Sequence, residues 1–99
     1  MTFQNRSNAN HILGNVTDEQ MVVYVREGYT VNRTEVTSGT LTPIASIYYD
    51  ARNDDRITMR SKGALHSILF RESSDDRIIA HWKGFCEAAE REYLARKND

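Results

Sequence analysis

The stretch Ile47 to Arg60, IYYDARNDDRITMR, sets three carboxylates, Asp50, Asp54 and Asp55, among three arginines, Arg52, Arg56 and Arg60. Clustered carboxylates can hold a hard cation, and clustered guanidinium groups beside tyrosines can grip an anion or a protein surface. The metal reading fails on spacing. An EF-hand loop needs oxygen ligands at alternate positions, then a glycine and a distant glutamate. Here Arg52 stands at the second ligand position and no glycine follows. The interleaved arginines also repel a cation, so the segment is expected to bind no metal.

The remaining reactive side chains are scattered. His11, His66 and His81 show no H-E-x-x-H or comparable zinc spacing. Cys86 stands alone, which excludes an internal disulfide and a cysteine-based zinc site. On a helix, His81 and Cys86 would diverge by about 140°, too far round to form a nucleophile and its base. Cys86 therefore reads as a small core residue. The chain carries no P-loop, no G-x-S-x-G elbow and no dinucleotide-binding glycines. The expectation is a protein that acts by binding rather than turnover, with no cofactor.

The elements that would position the charged stretch follow from periodicity. Looping out Asn53, Asp54 and Asp55 pairs Ala51 with Ile57, Tyr49 with Met59 and Ile47 with Ser61, which gathers the apolar residues of both strands on one face. Asn and Asp suit the loop because their side chains bond nearby backbone and tolerate turn torsions. The other face then carries Tyr48, Asp50, Arg52, Arg56, Thr58, Arg60 and Lys62. Of these, Tyr48, Asp50, Arg52, Arg56, Arg60 and Lys62 are the candidate partner-binding residues.

Around that hairpin, residues 1–10 are polar and Asn-rich and read as a flexible arm, with a single domain over 11–99. His11 to Val16 reads as a short strand and the following TDEQ as a turn. QMVVYVREGYTV reads as a second hairpin, with Gly28 in the left-handed position of a three-residue loop so that Val25 faces Tyr29 and Val23 faces Val31. TSGTLTP is punctuated like a loop, which puts Pro43 at a strand start or edge. ALHSILF fits a strand by length, although its apolar spacing also suits a helix. From about Asp75 to Arg96 the chain predicts one amphipathic helix. Its first turn is acidic, its last turn basic, and Ile78, Ile79, Trp82, Cys86, Ala89 and Tyr93 form one apolar stripe. The fold class is α+β: an antiparallel sheet of four to five strands, built as a hairpin meander, packed against one C-terminal helix.

Composition bounds the function. At 99 residues, with 39% apolar and 27% charged residues, the chain has the make-up of one globular domain. A net charge of -1 gives no overall field for nucleic acid or an anionic membrane, so any such binding must come from a local patch. No segment approaches a membrane span or a signal peptide, so the chain reads as cytoplasmic and membrane-free. Asn5, Asn15 and Asn32 lie in N-x-[ST] sequons, which count for little without a secretory leader.

Tyr and Arg are enriched as interface anchors, so a protein partner is the first expectation for the hairpin face. The chain would then be an interaction module that inhibits or regulates a larger macromolecule, of the sort that phages and other mobile elements carry to block host systems. A nucleic-acid-binding accessory protein, with Tyr48 stacking on a base, is the alternative. Sequestration of a small anion such as a nucleotide stands third. An exposed sheet edge also invites pairing with a second copy as a homodimer.

Overall fold

The computed structural model describes residues 10–37, 39–52 and 55–97. The elements run β1 (His11–Ile12), α1 (Asp18–Arg26), β2 (Thr30–Thr37), β3 (Thr40–Asp50), β4 (Arg56–Ser61), β5 (Leu65–Leu69) and α2 (Asp75–Lys97). The five strands lie side by side in chain order. From β2 to β5 the sheet is an antiparallel meander, while β1 pairs with β2 in parallel. The fold is α+β, and no helix among the described residues is long and apolar enough to cross a membrane. Of the arm expected over residues 1–10, only Asn10 falls within the described residues.

The hairpin expected over QMVVYVREGYTV is instead the helix α1 and the start of β2. TDEQ, expected as a turn, is the helix start. Thr17 caps it by accepting from the Gln20 amide, and the Gln20 side chain accepts from the Thr17 amide, a reciprocal capping box. Gly28 does take positive φ, at 94°, but it ends a helix rather than turning a hairpin. The Tyr29 amide donates to the Tyr24 carbonyl at 2.9 Å and the Gly28 amide to the Val25 carbonyl at 3.0 Å. This is a Schellman closure, completed by edge-on packing of Tyr24 and Tyr29 with ring centroids 5.5 Å apart. Helical spacing buries Met21, Val22 and Val25 and turns Val23 out to solvent. The short strand expected over His11 to Val16 is reduced to His11–Ile12.

The β3–β4 pairing differs from the expected register by two residues. Tyr49 lies opposite Ile57, Ile47 opposite Met59 and Asp50 opposite Arg56, so the connection spans residues 51–55. A shift of two preserves every side chain's face, and the expected division into faces holds. Asp55 explains the longer connection. It sits at φ 60°, its carboxylate accepts from the Tyr49 hydroxyl, and its carbonyl accepts from the Phe70 amide at 2.9 Å. The loop end is thereby tied to the end of β5. Asn53 and Asp54, the other expected loop residues, lie outside the described residues.

One bulge shapes the sheet. Arg33 pairs with Ala45 but Thr34 pairs with Pro43, which leaves Ile44 as the extra residue of β3. Pro43 thus stands beside an irregularity, beyond the segment of β3 that pairs with β4, where its missing amide is tolerated.

Both helices pack on one side of the sheet. Val31, Ile47, Ile57, Met59 and Ile68 meet Met21, Val22 and Val25 of α1 and Ile78, Trp82, Cys86 and Ala89 of α2 in a single core. The Ser74 hydroxyl caps α2 by accepting from the Arg77 amide at 3.2 Å. Ion pairs fasten the helices to their surroundings: Arg26 to Asp75 at 2.6 Å, Arg33 to Glu90 at 2.8 Å, Lys97 to Glu35 at 3.5 Å and Lys83 to Asp18 at 3.8 Å. The opposite face of the sheet carries neither helix.

Candidate interaction face

The registers lay out the uncovered face in rows. Asn32, Ser46, Arg60 and Leu65 run across β2 to β5, followed by Tyr48, Thr58 and Ser67, then Asp50, Arg56 and Leu69. The candidate residues on the strands, Tyr48, Asp50, Arg56 and Arg60, therefore share this face as expected. Lys62 follows β4 in the tight connection to β5, and Arg52 lies in the β3–β4 connection, where its amide donates to the Asp50 carboxylate at 3.2 Å.

The candidates divide into two groups. Tyr48, Arg60 and Lys62 surround a shallow hollow of about 510 Å³, together with His11, Thr30, Pro43 and Ser46. Asp50, Arg52 and Arg56 lie away from it, toward the β3–β4 connection, and do not line it. The hollow's floor includes Ile44 and Ala45, the bulge and its neighbour.

A polar network stiffens one wall. The Asn32 side chain is buried; its amide nitrogen donates to the Ile12 carbonyl at 3.1 Å and lies 3.2 Å from the His11 ring. Its oxygen accepts from the Ser46 hydroxyl at 2.7 Å. His11 and Ser46 were not singled out from the sequence, because the parallel pairing of β1 that brings His11 alongside Thr30 has no local signature.

Charge separates the two sides of the sheet. On the helix side Arg26, Arg33, Lys83 and Lys97 each meet a carboxylate. On the outer side, among the described residues, none of Arg52, Arg56, Arg60 and Lys62 forms an ion pair. Among the described residues that share this face in the strand rows, Asp50 is the one acid beside these cations, so the described patch is cationic although the chain carries a net charge of -1. Apolar residues flank it: Leu65 is 71% exposed on β5, and Val36, 66% exposed, stands opposite the exposed Leu41.

At the centre lies an unmet donor. The Thr58 hydroxyl is buried, with the whole residue 4% exposed, and among the described residues it has no hydrogen-bond partner. Buried polar groups are nearly always paired, so an orphan in the middle of an otherwise open face stands out.

The groups suited to chemistry do not converge there. Among the described residues no three His, Cys, Asp or Glu side chains come together. Cys86 is in the core on the other side of the sheet, where burial pushes its thiol up to about 12 and keeps it protonated. His66 and His81 stack on the helix side, with Nε2 of the first 3.0 Å from Nδ1 of the second. Comparison with protein-family models, with curated proteins and with solved structures finds no match.

Proposed function

We propose that this chain is a small non-enzymatic interaction module that docks the outer face of its sheet on an acidic surface of a larger protein and thereby inhibits or regulates it. The observation that carries this reading is the set of cations around Tyr48, without an ion pair among the described residues, on a sheet face that neither helix covers. Arg and Tyr are the residue types that anchor protein interfaces, and the apolar flanks at Leu65, Val36 and Leu41 suit a mixed interface better than a phosphate track.

The test joins charge reversal to truncation. Arg56→Glu with Arg60→Glu alters the patch by four charges without touching the core, so circular dichroism should be unchanged. A protein captured by the native chain should be lost on this reversal and on Tyr48→Ala, the latter costing about 2 kcal/mol or more if Tyr48 is a central anchor. Labelled oligonucleotides should not shift. A shift that weakens steeply with salt would instead show a nucleic-acid face, through counterion release from phosphates. Partner and activity both kept by the combined variant would exclude the outer face.

A further inference from the structure

The two edges of the sheet are finished differently. Along β2 the backbone is covered first by β1 and then by the side chain of Asn15, which bonds both the amide and the carbonyl of Thr34. Along β5 the Ser73 hydroxyl donates to the Leu69 carbonyl at 2.5 Å, and no described strand pairs with the outer edge. The pairing that ends the β4–β5 ladder fixes which groups are free there. The Ser61 amide donates to the Ala64 carbonyl, and the Phe70 amide donates to the Asp55 carbonyl. In an antiparallel pair these bonds recur at every second residue, so His66 and Ile68 bond to β4, while Leu65, Ser67 and Leu69 turn their amides and carbonyls outward; of these the Leu69 carbonyl already accepts from Ser73 and keeps one lone pair.

Apart from Ser73 at its end, this edge lacks the devices that keep exposed strands apart. The sequence LHSIL contains no lysine, no acid and no proline, and its pairing with β4 runs without a bulge. Leu65, the most exposed large apolar side chain described, belongs to it. Alongside lies open space: a hollow of about 470 Å³ bounded by Ser67, Leu69, Glu72, Arg77 and His81.

We propose that the β5 edge pairs with β5 of a second copy, antiparallel and centred on Ser67, joining two five-stranded sheets into one of ten strands. The register is self-complementary. With Ser67 on the two-fold axis, Leu65 of one copy faces Leu69 of the other, and the outward groups of residues 65, 67 and 69 bond each other across the axis. His66 then lies opposite Ile68 on the helix side. No charged residue of the strand opposes a like charge, and two Leu65–Leu69 contacts form on the outer face. The joined sheet would carry two copies of the cationic face on one continuous surface, although the pairing does not depend on what that face binds.

Cysteine placement tests the register in the full chain. Ser67→Cys puts two thiols on the axis with Cα atoms about 5.5 Å apart, within disulfide range. Mild oxidation should convert this variant to a covalent dimer. Leu65→Cys should not cross-link, because its copies would stand about 14 Å apart at a rise of 3.4 Å per residue. Cys86 is buried and will not compete. By sedimentation the native chain should have twice the monomer mass. Ser67→Pro, which removes an outward amide and leaves the β4 ladder intact, should have the monomer mass. A monomeric native chain, or a Ser67→Cys variant that stays monomeric under oxidation, would overturn the proposal. Equal cross-linking of both cysteine variants would do the same, by showing random collision or a different partner register. Should Ser67→Pro fail to fold, the cysteine pair alone decides.

Discussion

Asn15 holds Thr34 by both of its backbone groups. The Asn15 amide nitrogen donates to the Thr34 carbonyl at 3.2 Å, and the Asn15 oxygen accepts from the Thr34 amide at 3.0 Å. A primary amide side chain presents the same donor and acceptor as a peptide unit, so Asn15 continues the work of β1 after the strand has ended at Ile12. The Thr34 hydroxyl adds a bond to the Leu13 carbonyl at 3.0 Å and fixes the intervening chain.

Asn15→Ala should therefore lower stability by about 1–3 kcal/mol, the cost of leaving partly buried backbone groups unmet. For a domain of this size that corresponds to a loss of about 4 °C or more in Tm, measured by thermal unfolding. Asn15→Asp keeps the acceptor but loses the donor, and should fall between the two. An Asn15→Ala protein that melts like the native chain would show that water replaces the side chain without cost.

Thr58→Val conserves shape and removes a buried hydroxyl that has no partner among the described residues. The isolated chain should melt at the same temperature or higher, since an unmet buried polar group is costly. Binding through the outer face should be unchanged in the same variant, because the buried hydroxyl lies out of a partner's reach. A clear loss of stability would mean that the hydroxyl is bonded in solution.

The stacked histidines predict a pH dependence of folding. Burial lowers the pKa of His81, with smaller contributions in the same direction from His66 and Arg77. The folded chain thus binds that proton less readily than the unfolded chain, so stability falls as pH drops from above the ordinary histidine value of about 6.5 through the depressed folded value. Unfolding midpoints measured between pH 7.5 and 5 should decline toward acid, and His81→Gln should flatten the decline. A midpoint that rises on acidification would show that the pair instead favours a shared proton.

Much of this fold is readable along the chain because it is local. In α2, acidic and basic ends and an apolar stripe at three- and four-residue spacing specify a helix whatever it packs on, and Asp75–Lys97 matches the expected span almost to the residue. In β3 and β4 the two-residue alternation assigns faces, which is why Tyr48, Asp50, Arg56 and Arg60 could be placed together before any pairing was known. Alternation is blind to a shift of two. The actual register was decided by Asp55, through its ties to Tyr49 and to Phe70, fifteen residues further on. Met21 to Val25 is an unbroken apolar run that satisfies either period. Local signs did favour a helix, in the Thr17–Gln20 capping box and in Gly28 as its terminator, but β-branched valines and a glycine suit a hairpin equally well. Packing of Met21, Val22 and Val25 against Ile78, Trp82 and Cys86 settled the choice, and that contact joins segments more than fifty residues apart. The hollow beside Tyr48 has the same non-local origin. It needs the bulge at Ile44 and the parallel seat of His11 on β2, and both arise only when strands meet, because register and edge pairing are properties of two segments and are written in neither alone.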